Sequence, residues 1–283
     1  MSKVLTIFGA TGNQGGSVIR AVLADPKLSQ EFKIRAVTRD TTKASAKALA
    51  AKGVELVTAC LYHTLTLVYD DEPRLTPEGH KADMSSPETA APAVQDAHTV
   101  FLVTNFWESM SDETEIAQGK AVADACKTAG VKHLIFSSLI NANKATQGRL
   151  QNVKHFDSKA KIEDYIRQIG LPATFVQPGI FMSGLLGWIR KGEDGEYTWA
   201  MPFDADTTKM PLFDAVADTG TCLVSSSVIT HARSEGLTSC QANTSRSHSS
   251  ISRIFSASTS PALGVTTRRN KSSLSGPRLW VNL

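Results

Sequence analysis

The feature that most constrains this chain is Gly9-Ala10-Thr11-Gly12-Asn13-Gln14-Gly15-Gly16, set directly after the apolar run Val4-Leu5-Thr6-Ile7-Phe8 and before Ser17-Val18-Ile19-Arg20-Ala21-Val22-Leu23. A strand, a glycine turn and a helix start, in that order, aim several backbone N–H groups and the positive end of a helix dipole at one point. That arrangement suits a pyrophosphate. In such a turn Gly9 serves the tight bend, Gly12 the close approach of a ligand, and Gly15 the packing of helix on strand. Taken alone the spacing is a weak signal. Flanked by a strand and by helical periodicity it predicts a dinucleotide-binding turn, against the alternative of an ordinary glycine-rich loop.

The next strand bears on which dinucleotide. Phe32-Lys33-Ile34-Arg35-Ala36-Val37 alternates as a strand does and ends in Thr38-Arg39-Asp40, about twenty residues past the turn, where an adenine-ribose reader sits. NAD selection calls for an acid that accepts from the ribose hydroxyls. Arg39 stands there instead, with Lys43 close behind, and a guanidinium clamps a 2′-phosphate in two-point geometry. NADP is the predicted cofactor. In the alternative, NAD, Arg39 is a solvated loop charge and Asp40 holds the ribose.

Composition sets the outer bounds. The 283 residues, 41% of them apolar, suffice for one large α/β domain and a smaller lobe. No apolar run is long enough for a membrane span, and the first residues do not resemble a signal peptide. Cys60, Cys126, Cys222 and Cys240 lie far apart, and the one ligand-like spacing, Cys60 to His63, lacks a second pair. The expectation is a reduced, cytoplasmic location, with the nucleus as an alternative, and no metal. The net charge of +3 is unevenly divided. Residues 221–283 hold seven Lys and Arg against one acid, Glu235, together with 16 Ser and 7 Thr, and residues 1–220 hold 23 bases against 26 acids. The stretch 221–283 therefore reads as a solvated, disordered basic tail with scattered charge and few aromatics. With no recognition helix rich in clustered Arg or Lys in the acidic remainder, direct nucleic-acid binding is not expected.

Between these ends strand and helix alternate. Val54–Val57, Val100–Val103, His133–Ser137 and Thr174–Gln177 read as further strands, with an amphipathic helix over Thr114–Ala129. Helical crossovers of this length force parallel strands, so the fold class is α/β, a Rossmann doubly wound parallel sheet whose ligand lies at the carboxyl ends of the strands.

Four segments in order carry a resemblance: Thr6–Gly16, Val37-Thr38-Arg39, Phe101-Leu102-Val103-Thr104-Asn105-Phe106-Trp107-Glu108, and His155-Phe156-Asp157-Ser158-Lys159. Together they resemble the NmrA-like family, an atypical branch of the short-chain dehydrogenases, from the first residues to about Gly220. The resemblance implies an NADP-binding Rossmann domain over 1–178 and a small substrate lobe, here partial, over 179–220. It implies membership of a group that includes nitrogen-repression regulators, redox sensors and fungal oxidoreductases. Carried over position by position, it implies cofactor contacts from Gly9, Ala10, Thr11, Gly12, Asn13 and Gln14 at the pyrophosphate and from Thr38 and Arg39 at the adenosine phosphate. It also implies Asp83 beside the adenine, Thr104 and Asn105 along the nicotinamide ribose, and Lys159 with Ile180, Phe181, Met182 and Ser183 completing the site.

The chemistry turns on His155 and Lys159, four residues apart on one helix face. That is the spacing of the dehydrogenases' Tyr and Lys, in which the phenol moves the proton and the lysine lowers its pKa and holds the ribose. Here His155 takes the phenol's place, and an imidazole serves as an acid near neutral pH. Packing in a cofactor pocket is its other reading, as a surface charge is for Lys159. Tyr165, six residues past Lys159, falls elsewhere on the helix. Ser137 and Ser138 follow the fifth strand, where a substrate-orienting hydroxyl belongs, and Ser138 is taken as the candidate; either serves equally well to cap a turn.

Two departures from the family pattern stand out. Residues 59–81 form an insertion whose removal joins Thr58 to Ala82-Asp83 cleanly, as an in-frame translated intron would, and helical and strand patterning stop after Gly220, as in an out-of-frame tail. A genuine flap and a genuine tail are the rival explanations. Two functions follow: an NADP(H)-dependent oxidoreductase acting on a small organic carbonyl or conjugated double bond, or a non-catalytic redox sensor whose partner is a protein such as a transcription factor. The apolar run Gly179–Met182, Leu185, Leu186 and Trp188 favours a small-molecule pocket. Oligomeric state is not legible.

Overall fold

The computed structural model describes residues 2–60, 81–185, 187, 189–191, 193, 197–200, 211–225, 228–229, 237–238, 267–268 and 278–281. Most of the insertion and most of the serine-rich stretch lie outside them. The chain divides into two compact units, one of residues 1–177 with 219–239, the other of 178–218 with 240–283.

The first unit alternates strand and helix. β1 (Lys3–Phe8) leads through α1 (Asn13–Ala24) and the short α2 (Leu28–Glu31) to β2 (Phe32–Thr38), and α3 (Ala44–Ala50) leads to β3 (Glu55–Cys60). There follow β4 (Lys81–Asp83), α4 (Pro87–Val94), β5 (Ala97–Leu102), α5 (Phe106–Ser109), α6 (Asp112–Thr128) and β6 (His133–Ser137). The run ends with α7 (Ala142–Ala145), α8 (Lys154–Gln168) and β7 (Ala173–Val176). Six of these strands pair in parallel in the order β7-β6-β5-β1-β2-β3. The α/β doubly wound sheet predicted from the alternation is thus present, and the strand order reverses at β1, the point where such sheets bind ligands.

Strand β1 is buried along Leu5–Phe8 because helices cover both faces of the sheet. On one face Phe8, Val37, Leu102, Leu134, Phe136 and Phe175 pack with Val122, Cys126, Ile162 and Ile166 of α6 and α8 in one apolar core. The two helices approach closely at Gly119, where an added Cβ would lie 2.5–2.7 Å from three carbons of Ile162. On the other face a helix, α10 (Asp218–Ser225), is fastened to α1 by a hydrogen bond from Gly220 N–H to Ser17 Oγ at 2.9 Å.

At the outer edge, with the insertion present, the chain on either side of it forms two neighbouring strands. β3 runs on through Ala59 to Cys60, and Lys81–Asp83 lies beside it as β4, with Ala59 opposite Ala82 and Cys60 opposite Asp83. Ala59 and Cys60 extend as readily as Ala82 and Asp83 would. They continue the strand already begun, and the later residues pair outside it.

Part of the stretch read as a disordered tail takes ordered places. Besides α10, with Leu223 buried, Val228 and Ile229 are buried and β12 (Leu237–Thr238) pairs with β7 in parallel. These few apolar residues sit among serines that mask their periodicity. Cys126 is buried with a free thiol, and Cys222 is disulfide-bonded, a bond that the spacing of the cysteines did not suggest.

The second unit holds β8 (Ile180–Phe181), α9 (Met182–Leu185), β9 (Ile189–Lys191), β10 (Tyr197–Ala200), β11 (Leu212–Phe213), β13 (Thr267–Arg268) and β14 (Arg278–Val281). β8 pairs with β11 in parallel, and β13, β14, β10 and β9 form an antiparallel sheet. Among the described residues no helix is long and apolar enough to cross a membrane, and no group of His, Cys, Asp or Glu is placed to hold a metal ion.

Candidate active site

The glycine turn has the shape its residues predict. Gly9 takes a positive φ of 64°, and an added Cβ would sit 2.8 Å from Val103 Cγ1. At Gly15 an added Cβ would fall 2.3 Å from the Gly9 carbonyl oxygen, so glycine alone lets α1 close onto β1 here. The turn is held by Gly12 N–H on Gly9 O (2.9 Å) and Ala10 N–H on Val37 O (3.2 Å). Gly12 is the N-cap of α1, no side chain caps that end, and no acid lies in its first turn. An uncapped first turn with Thr11, Gly12 and Asn13 exposed is what an anion requires. Gln14 differs from its neighbours: it is buried, and its carboxamide oxygen accepts from Ser137 Oγ at 2.8 Å, tying the turn to the end of β6.

At the end of β2, Thr38 is buried with its hydroxyl 3.3 Å from that of Thr11. Asp40, the acid that would read a ribose, is occupied: Oδ1 accepts from Thr42 N–H (2.8 Å) and Thr42 Oγ1 (2.6 Å), and these bonds hold its carboxyl below the usual range. The Arg39 side chain is 63% exposed and ion-paired through Nη1 with Glu108 Oε1 at 2.8 Å. Lys43, exposed, is the N-cap of α3. Two hydroxyls and a guanidinium therefore stand at this end, with the Lys43 charge acting on Asp40, and hydroxyls with a guanidinium are a donor set for a phosphate. Asp83 stands on β4, one strand beyond the end of β3 where the family pattern puts its acid.

The carboxyl end of β5 gathers buried polar side chains. Thr104 is buried, and Asn105 is exposed as the N-cap of α5. Lys159 Nζ donates to Thr104 O (2.9 Å), to Thr104 Oγ1 (2.8 Å) and to Glu115 Oε1. Glu115, wholly buried in the first turn of α6, also accepts from Thr104 Oγ1 (2.7 Å) and from Ser158 Oγ. All three ammonium hydrogens of Lys159 are thus matched by acceptors inside the fold. Burial pulls the Lys159 pKa below its ordinary value, and the Glu115 charge and hydrogen bond oppose the shift.

His155, on the same face of α8, is half-buried among Trp107 (ring centroids 4.8 Å apart), Phe156 (4.9 Å) and Phe106 (5.9 Å). Burial lowers its pKa, with Glu115 pulling the other way, so the imidazole is neutral at neutral pH. Tyr165 points elsewhere, its hydroxyl donating to Asp124 at 2.7 Å. The Ser138 hydroxyl is turned to its own backbone at Leu139 O (3.4 Å), and Ser137 is held by Gln14. In the second unit Ile180 and Phe181 form β8, Met182 is buried with Leu185 and Leu212, and Ser183 is exposed.

The structure therefore brings together Gly9, Ala10, Thr11, Gly12, Asn13, Thr38 and Arg39 around one cradle, and Thr104, His155 and Lys159 around the end of β5. Glu115, Ser158, Glu108 and Trp107 join them without having been singled out from the sequence. The signal for Glu115 is faint: it is the one acid of Asp112-Glu113-Thr114-Glu115 that falls on the buried face of α6.

Residues 1–267 match the NmrA-like family model, past the neighbourhood of Gly220 where the sequence motifs end. The NmrA-like family domain-containing oxidoreductase ptmS of Penicillium ochrochloron is 30% identical over 236 residues, covering 77% of this chain and 62% of that protein. The crystal structure of NmrA, a negative transcriptional regulator, in complex with NADP superposes with a TM-score of 0.58 at 28% identity, covering 79% of this chain and 61% of that one. Its complex with NAD gives the same figures. The chain spans about three fifths of the length of these relatives. With the glycine turn, the strand order and the match along nearly its whole length in agreement, this chain belongs to the NmrA-like family.

Proposed function

We propose that the protein is an NADP(H)-dependent oxidoreductase acting on a small organic carbonyl or conjugated double bond. The observation that carries the cofactor half is the end of β2, where the Thr38 hydroxyl meets that of Thr11, Arg39 follows with an exposed guanidinium, and Asp40 is turned onto Thr42. The uncapped first turn of α1 takes the pyrophosphate. Relatives named as oxidoreductases and NmrA solved with NADP and with NAD support the same reading. When bound, the nicotinamide supplies a hydride.

Residues 1–178 hold the nucleotide, and residues 179–220 contribute a partial substrate lobe. The protein's own part in the chemistry falls to α8 and α5. Because its three donors are taken, Lys159 shapes the floor of the site as an ion-paired ammonium, with no donor left over for a ribose hydroxyl. His155, walled by Phe106 and Trp107, takes a proton from water and, as the imidazolium, passes it to the substrate as the hydride adds, returning to the neutral ring, and the exposed Trp107 ring offers an apolar face for the substrate. Oxidation of NADPH with a panel of quinones, aldehydes and enones tests this. His155→Phe should abolish turnover and leave NADPH binding in place; turnover that survives removes His155 from the proton step.

One observation favours a second reading. A lysine whose hydrogens are all committed, beside a histidine where the phenol belongs, suits a non-catalytic sensor that reports NADP(H) to a protein partner. No turnover with any substrate, together with unequal affinity for the two redox forms, would favour it.

A further inference from the structure

The contact between Arg39 and Glu108 joins two parts of the fold that the sequence keeps far apart. Arg39 follows β2 and Glu108 lies in α5 after β5, with Nη1 and Oε1 2.8 Å apart. Arg39 is 63% exposed and Glu108 only 21%, so the carboxylate is the anchored partner and the guanidinium the movable one. We propose that Glu108 is a specificity-determining residue: it competes with the 2′-phosphate for Arg39 and thereby sets how strongly this chain prefers NADP to NAD. The inference rests on the cofactor reading above.

The competition follows from the donor inventory. A guanidinium grips a phosphate through two parallel N–H groups, and Glu108 already occupies one of the two terminal nitrogens. A bound 2′-phosphate must either pull Arg39 off Glu108 or bring a second anion beside that carboxylate, and both weaken NADP. NAD carries neutral hydroxyls at that place and meets neither penalty. An acid near the ribose is what NAD sites use, and here Asp40 is held by Thr42, so Glu108 is the acid left facing Arg39. It comes from the helix that follows β5, the strand on the other side of β1, where no motif for cofactor choice would place it.

Titration calorimetry of the full chain with NADP, NAD, 2′,5′-ADP and 5′-AMP, on wild type, Glu108→Gln and Arg39→Ala/Glu108→Gln, tests this. Glu108→Gln keeps the size of the side chain and removes the charge. We expect it to tighten NADP and 2′,5′-ADP about threefold to tenfold, as for loss of one partly exposed opposing charge, and to leave NAD and 5′-AMP within about twofold. The gain should vanish in the double variant. Equal shifts for phosphorylated and unphosphorylated ligands, or no shift in a protein that binds NADP, would overturn the competition alone. A wild type that binds none of the four would overturn the cofactor reading and this proposal together.

Discussion

Replacing Glu115 by Gln should destabilise the first unit by about 3–5 kcal/mol, the usual cost of breaking a buried ion pair from one side. The magnitude follows from what is left behind. Glu115 is wholly buried and accepts from Thr104, Ser158 and Lys159, and the Lys159 side chain is only 13% exposed. The variant keeps the shape and the two Thr104 acceptors but strands an ammonium without its counter-ion. Against a typical domain stability of about 5–15 kcal/mol, that is a large share. The sign of the pH dependence is specific. Burial already lowers the Lys159 pKa and Glu115 opposes that, so the variant's folded pKa falls further below that of the unfolded chain. Between those two values the unfolded state binds more protons, and stability therefore rises with pH. Urea unfolding followed by circular dichroism at neutral and alkaline pH should show Glu115→Gln gaining on wild type as the pH climbs towards the ordinary lysine range. Removing both charges, as Glu115→Leu/Lys159→Met, should return to within about 1 kcal/mol of wild type. A single variant costing under about 1 kcal/mol, or a double variant costing as much as the two singles added, would refute the buried-pair account.

Three further outcomes follow from the packing. Gly15→Ala should abolish nucleotide binding in calorimetry, because its Cβ would fall 2.3 Å from Gly9 O and pry α1 from the turn. Gly119→Ala should cost about 1–3 kcal/mol in urea unfolding, its methyl meeting the buried Ile162 at 2.5–2.7 Å, and Gly119→Ala/Ile162→Val should recover part of that loss. His133, 2% exposed with its Nδ1 lacking a hydrogen-bond partner among the described residues, has its pKa pushed down by burial to about 4. The unfolded chain takes up this proton below about pH 6.5 and the folded one resists until about 4, so stability should fall across that window by about 3 kcal/mol, and His133→Gln should flatten the slope of urea midpoint against pH.

The sheet was legible because each strand is an apolar run bounded by turn residues, and β6 was predicted at its observed limits. The start of α1 was not. Gly12, Gly15 and Gly16 have poor helix propensity, yet Gly15 and Gly16 are helical, Gly15 because close packing against Gly9 and the end of β1 demands a glycine there. The β4 edge was hidden for a different reason: pairing depends on where the chain returns after residues 61–80, which no local pattern encodes. In the site, His155 and Lys159 were found because helical spacing alone puts them on one face. Glu115 was hidden by its neighbours, since acids in a first helical turn ordinarily serve the helix dipole, and only the packing of α6 on α8 turns one of them inward. Glu108 was quoted as part of a motif, but its partner lies 69 residues away, a distance that sequence reading does not bridge.

Central to the account is the cradle for a phosphorylated dinucleotide at the ends of β1 and β2, and calorimetric titration of wild type and Arg39→Ala with NADP and NAD tests it most directly. The account predicts that NADP binds, and that Arg39→Ala weakens it by about 1–3 kcal/mol while NAD changes little, as expected for loss of one charged two-point contact. Absence of binding by the folded wild type, or equal losses for both nucleotides on removing Arg39, would contradict it.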